Sequence, residues 1–382
     1  MGVDVPRGPR RGRWPGGFLG MLLMVALIER SIAGRALDFT RPEYWDWRTA
    51  AHAAKKVAPG CEVLCFGTSM MQQSLLPGVL KDHCGRRARN LAVCAGQAPG
   101  SYFLLRRALE AGATPAAVLV EFHPQYLAED HWNAVRFWPD LLDARDSLDL
   151  AWSTRDAEFF ATTAIARQIP SVKDRLQVRD CILAAAQGRT ASTASATLIY
   201  NRNRSRNEGA LVMPRNPGYR GEIAPGFRTA FLPKSWRCHP TNAAYVRRFL
   251  DLAAAHDVPV YWIIPPLSPR LQAARERQGL DDAYTRFARS FQAGRPNLVV
   301  LDARHSAYVP EVFTDAAHLD RQGACTLSAD VGDLLRVDAG KGEPEPSRWI
   351  GLPRYRERKP IVPTEDLAES RLAVEALATS RR

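Results

Sequence analysis

"CEVLCFGTSMMQQSLLP", residues 61–77, decides how the chain reads. Its opening, "CEVLCF", is a short apolar run of the kind that a strand buried on both faces requires. Its end reads as a helix. Between them stand Gly67, Thr68 and Ser69. Small polar residues at that junction can make a tight turn and cap a helix, or they can present a nucleophile.

Working outward, four more runs resemble the first: "ARNLAV" (88–93), "AAVLVEF" (116–122), "VPVYWII" (258–264) and "NLVVLD" (297–302). Helical patterns separate several of them. "SYFLLRRALEAGA" (101–113) has apolar residues at helical spacing, with Gly112 placed to end it. "TNAAYVRRFLDLAAAH" (241–256) puts Tyr245, Phe249 and Leu252 on one face behind Thr241 as N-cap. "DDAYTRFARSFQAG" (281–294) and "RQGACTLSADVGDLLRV" (321–337) complete the alternation. Strands alternating with helices predict a doubly wound α/β fold, a flavodoxin-like parallel sheet of five strands with helices on both faces.

Residues 136–240 interrupt the rhythm: a helical first part, then an Arg/Asn/Pro/Gly-rich, loop-like stretch from about 188, together read as an insertion or lid. The main domain is therefore expected over 46–337. The Pro-rich, charged tail 338–382 is expected to hold little fixed structure beyond a final helix over 364–378. At the other end, "RGPRRGR" precedes "WPGGFLGMLLMVALI", a basic segment before an apolar run of about 11–14 residues, as in a signal sequence. A spanning helix needs ~20 apolar residues. Residues 1–45 are thus read as a signal or membrane anchor, which predicts an exported or membrane-anchored chain. A buried or amphipathic helix in a cytoplasmic protein is the alternative.

The 382 residues carry a formal net charge of +12, but the basic residues are scattered. The densest runs, "GRRAR" (85–89) and "NRNRSRNEG" (201–209), read as solvated loops. They lack the interleaved aromatics of single-strand binders, so no nucleic-acid partner is expected. The seven cysteines form no C-x-x-C pair and no metal-like spacing with histidine, so neither a metal nor another cofactor is expected.

In such a sheet, sites form where strands end. "GTS" follows the first strand, "CAGQAPG" the second and "HPQ" the third, and "FTDAAHLDRQGA" (313–324) follows the last. Ser69 needs a base to act as a nucleophile. His318 would take its proton, and Asp315, three residues earlier, would orient the imidazole. The backbone N–H groups of Ser69 and Gly96 would face a tetrahedral oxyanion. The plainer alternatives are that Ser69 only caps a helix and that Asp315 caps the last one, although Asp320 offers a second cap there. His123, His131, His239, His256 and His305 read as surface or packed residues. Trp132, Trp138 and Trp152 read as core, lid or sugar platforms.

These blocks resemble the SGNH (GDSL-like) hydrolase superfamily. "FGTSMMQQSLLP" resembles its first block, with Ser69 as nucleophile. "NLAVCAGQAP" resembles the second, with Gly96 as oxyanion donor, and "TDAAHLDRQGA" the last, with Asp315 and His318. "YWIIPPLSP" (261–269) resembles the membrane-associated branch of DltD-like proteins and alginate-type O-acetyltransferases. The likeness runs from about 60 to 336, outside the insertion. One block departs: the family's G-x-N-D after strand three is "EFHPQYL" (121–127) here, which leaves Gln125, or alternatively His123, to supply the third oxyanion donor. The resemblance implies an esterase or O-acyltransferase acting on an acylated small molecule or carbohydrate, in the cell envelope or on exopolysaccharide. A non-catalytic SGNH-fold binder of glycan or a partner is the alternative.

Overall fold

A computed structural model describes residues 16–34, 42–169, 192–338, 348–359 and 362–379, with a few positions between 179 and 188. The basic segment 7–13 and Cys181 lie outside the described residues. One sheet organises the chain: β1 (Val63–Phe66), β2 (Ala88–Asn90), β3 (Ala117–Val120), β4 (Val260–Ile264), β5 (Leu298–Asp302) and β6 (Trp349–Gly351). All neighbours pair in parallel, in the order β2-β1-β3-β4-β5-β6. The fold is therefore the expected doubly wound α/β type, with each of the five foreseen strands present and a sixth added at the edge.

Alternation within each strand feeds two cores. Leu64, Phe66, Val118, Val120, Val260 and Trp262 point to one face, where Trp47, Phe103, Tyr245 and Phe249 cover them. Those covering residues come from the helices Pro42–Lys56, Ala98–Glu110 and Pro240–Ala255. Val63, Cys65, Leu119 and Ile263 point to the other face, under Leu75, Leu80, Leu327 and Leu335. Because both faces are covered, the strands read as unbroken apolar runs. At the start of Pro240–Ala255 the cap is His239 rather than Thr241: its Nδ1 accepts the Thr241 N–H.

Two expectations are corrected. The tail is ordered over its described parts. Trp349–Gly351 pairs with β5, Arg358 bonds Asp330 and Asp333, and the helix Leu367–Thr379 docks on the body. Its dock is a helix where a loop was expected, Ser192–Arg206. Asn203 and Asn207 donate to the Glu365 carbonyl, and Arg202 pairs with the Glu365 carboxylate. Side-chain bonds to a segment some 160 positions away hold this polar helix, so its own composition does not announce it. A further helix of the insertion, Pro225–Phe231, packs against His123, just beyond the carboxyl end of β3.

The chain order β1, β2, then β3 on the other side of β1 puts a switch point between β1 and β3, and side chains leaving those strand ends share one crevice. Asp46 anchors the crevice from behind. Its carboxylate accepts from Gln72 of the helix Ser69–Ser74 and from Arg204 of the insertion.

The N-terminal helix Gly16–Gly34 leaves Phe18, Leu22, Leu23, Met24, Val25 and Leu27 exposed. Among the described residues, no helix is long and apolar enough to cross a membrane.

Candidate active site

The chain leaves β1 through Gly67 at φ +149°, a conformation that favours glycine. A Cβ there would meet the Glu121 carboxylate at 2.8 Å and its carbonyl at 2.9 Å. Thr68 follows with extended dihedrals and caps the helix Ser69–Ser74. Its Oγ1 accepts the Met70 N–H at 3.1 Å. Thr68 thus takes the capping role that Ser69 could have held. Ser69 becomes the first helical residue, with no intrahelical partner for its N–H, and its Oγ lies 3.0 Å from His318 Nε2.

His318 comes from the loop after the last foreseen strand, closed by a bridge between Phe313 and Leu319 and by the Thr314 N–H to the His318 carbonyl. Asp315 turns back on this loop. Its Oδ1 accepts the N–H groups of Ala317 and His318, each at 2.9 Å, and its carboxylate lies 2.9–3.0 Å from His318 Nδ1. Burial would raise the Asp315 pKa. The His318 hydrogen bond, the imidazole's charge and the two backbone donors outweigh that and hold it below the ordinary carboxylate value. The bond to Asp315 assigns the proton to Nδ1 and leaves the Nε2 lone pair towards Ser69. Asp320, not Asp315, caps the helix Arg321–Asp338, by accepting the Gly323 N–H at 2.9 Å. The structure therefore brings together the three residues Ser69, His318 and Asp315.

It treats the other sequence-derived residues differently. A Cβ on Gly96 would sit 2.5 Å from the Gly67 carbonyl oxygen, so this glycine allows the second-strand loop to lie against the loop that carries Ser69. Its N–H, however, is donated to the Val93 carbonyl at 3.1 Å, closing a turn. Gln125 does not bring its amide to the triad. The side-chain N–H is donated to Glu129, the extended residue that ends the short helix Pro124–Ala128. The i,i+4 spacing explains this, since a helix-start glutamine meets the carboxylate on its own face. His123 stands nearer the triad. It is buried, its Nδ1 accepts the Gln125 N–H, and so Nε2 carries the proton. Burial, then the charges of Arg275 and His318, push its pKa well below the usual histidine value and keep it neutral.

Two further features frame the site, the first not foreseen and the second lying in the stretch expected as an insertion or lid. Glu121, at the end of β3, is buried, and one carboxylate oxygen accepts both the Thr68 N–H (2.9 Å) and its hydroxyl (2.8 Å). The only sequence signal was a carboxylate at the end of an apolar strand. The second feature is the cover. Phe227 lies 6.3 Å from the His318 ring and Phe231 4.8 Å from His123, with Met70, Leu267, Ala316 and Ala317 packed around them. Arg275 donates to the Phe231 carbonyl at 2.7 Å and to Asp281 at 2.8 Å, which fastens the end of this cover. The aromatic pair at i and i+4 in "PGFRTAF" was its trace in the sequence. Of the three tryptophans, Trp138 is buried core, Trp132 is half-buried against it, and Trp152 is exposed.

Among the described residues no three His, Cys, Asp or Glu side chains gather as a metal set. No family model matches the chain, and no curated protein matches it.

Proposed function

We propose that the chain is a serine esterase or O-acyltransferase of the SGNH type, which takes an acyl group from an ester onto Ser69 and passes it to water or to a carbohydrate hydroxyl. The observation that carries this reading is the hydrogen-bonded line Ser69 Oγ–His318 Nε2, His318 Nδ1–Asp315. As Ser69 Oγ attacks the ester carbonyl carbon, His318 Nε2 takes the hydroxyl proton and Asp315 stabilises the imidazolium. The tetrahedral oxyanion draws on the Ser69 N–H, and His123 Nε2–H is the second donor in place of Gln125. Each such donor lowers the barrier by about 3 kcal/mol. Collapse breaks the C–O bond, and the imidazolium gives its proton to the leaving alcohol. Water or an acceptor hydroxyl then repeats the sequence in reverse and frees Ser69. The substrate class is an acylated small molecule or carbohydrate.

The exposed apolar helix Gly16–Gly34 supports placement at a membrane or outside it, with a cytoplasmic chain as the alternative. The competing functional reading, an SGNH-fold binder without catalysis, draws on one observation, the Gly96 N–H already donated to Val93. Labelling with a fluorophosphonate probe separates the two. A catalytic chain is labelled at Ser69, loses the label in Ser69→Ala and turns over acetyl esters. A folded chain that takes no label and turns over no ester is the binder.

A further inference from the structure

We propose that Glu121 is a positioning residue for the nucleophile: it pins Thr68 as the helix cap, so that the Ser69 hydroxyl is left for His318. The inference rests on the reading of Ser69 as nucleophile and adds a residue that the family blocks do not supply.

The register makes the contact. β1 and β3 pair through Phe66 and Val120, and the Glu121 N–H continues the ladder to the Phe66 carbonyl at 3.0 Å. Glu121 therefore leaves the sheet directly beside Gly67 and Thr68. Gly67 has no side chain to block the approach, and Glu121 Oε2 reaches both donors of Thr68. Thr68 Oγ1 gives its proton to Glu121 and accepts the Met70 N–H, so both ends of that hydroxyl are spoken for.

A serine at the start of a helix competes for just such a cap, because its Oγ can turn back to the backbone N–H groups of the first turn. With Thr68 held in the cap, that competition is closed. Misplacing a reacting atom by ~1 Å can cost about 100-fold in rate.

The surroundings indicate that the carboxyl serves Thr68 and not an ion pair. Glu121 lines a small pocket with Met70, His123, Arg275, Asp281, Tyr284 and Arg304. Arg304 is bound to Asp302, Arg275 to Asp281 and to the Phe231 carbonyl, and the Tyr284 hydroxyl donates to the Phe122 carbonyl. Among the described residues Glu121 Oε1 is buried with no hydrogen-bond partner. A buried carboxyl with one unmatched oxygen is costly to keep, and its bonds go to the residue beside Ser69.

The test compares Glu121→Gln, which keeps an oxygen for Thr68, with Glu121→Ala, which does not. Each is assayed for acetyl-ester kcat and KM and for fluorophosphonate labelling, with the fold checked by circular dichroism. Glu121→Ala should lose tenfold or more in kcat at little-changed KM, and Glu121→Gln should recover most of that loss. Thr68→Val should lose kcat similarly, Thr68→Ser should keep it, and Thr68→Val with Glu121→Ala should be no worse than the weaker single variant. The Thr68 pair carries the test if Glu121→Ala does not fold. A folded Glu121→Ala with wild-type kcat, or losses that multiply in the double variant, overturns the positioning role alone. A wild-type chain without label or turnover overturns the nucleophile and this inference together.

Discussion

Replacing Glu121 by glutamine should remove a pH dependence from folding stability. Burial pushes the Glu121 carboxyl up to about 7, against the two Thr68 hydrogen bonds that pull it down, whereas an unfolded glutamate titrates near 4.5. Between those values the folded chain holds a proton that the unfolded chain has released. Stability contributed by this site therefore falls as pH rises through that window. At 1.36 kcal/mol per pKa unit, the difference amounts to roughly 2–3 kcal/mol between pH 5 and pH 8. Glutamine does not titrate, keeps an oxygen for Thr68 and leaves the other carboxyls alone. Urea denaturation of both chains at pH 5, 6, 7 and 8 isolates the effect, because titrations elsewhere cancel in the difference. Relative to wild type, Glu121→Gln should gain stability steadily with pH. The charged and titratable groups around the site are His123, Tyr126, Arg275, Asp281, Tyr284 and Arg304; the substitution removes the Glu121 charge that helps raise Tyr126 and Tyr284, and both hydroxyls stay protonated throughout this pH window. Parallel stability profiles for the two chains would refute the buried, late-titrating carboxyl.

Three further outcomes are expected. Asp315→Asn keeps an oxygen for the Ala317 and His318 N–H groups but presents an amide donor to His318 Nδ1, which favours the wrong tautomer. Ester kcat should fall on the order of 10⁴-fold with the fold intact, and a loss below tenfold contradicts the assigned role. Phe231→Ala empties a buried position and should cost roughly 3 kcal/mol in denaturant unfolding. Phe227→Ala, at the half-buried outer edge beside His318, should instead raise KM with stability within about 1 kcal/mol; the reverse ranking refutes the cover. Finally, the full chain should co-sediment with anionic lipid vesicles and a chain starting at residue 42 should not; equal sedimentation of the two removes the N-terminal helix from membrane association.

What was legible in the sequence follows from how local each feature is. The four inner strands, β1, β3, β4 and β5, could be read because helices cover both faces, so their residues are nearly all apolar. The edge strand "WIG" is three residues long and sits in a polar, Pro-rich stretch. Its pairing with Val300, Leu301 and Asp302 is supplied by β5 and not by its own pattern. The helix Ser192–Arg206 was hidden for a related reason: Arg and Asn fill its last turns, and Asn203 there bonds Glu365 and Ser370. Within the site, the Asp315–His318 spacing was readable because three residues of one loop carry it. Glu121 was not, since its neighbourhood to Thr68 exists only once β1 and β3 are in register. The orientation of Gln125 hinged on a competitor four residues away.

The two loops that carry Ser69 and Asp315 share a logic that local rules cannot resolve. Each offers two residues able to cap the next helix: Thr68 and Ser69 before one, Asp315 and Asp320 before the other. Propensity ranks these residue types too closely to choose between them. In both loops the structure gives the cap to one and leaves the other free to meet the imidazole. Thr68 is held in the cap by Glu121, and Asp320 by its place five residues beyond Asp315, past the bridge from Phe313 to Leu319. The free members, Ser69 and Asp315, reach opposite nitrogens of the same ring. A capping side chain points at the N–H groups of the helix's first turn, whereas Asp315 accepts the N–H groups of its own loop, Ala317 and His318, and its carboxylate still reaches the imidazole. In both loops a dedicated cap therefore stands beside the residue proposed to act, so that neither Ser69 nor Asp315 has to close the start of a helix.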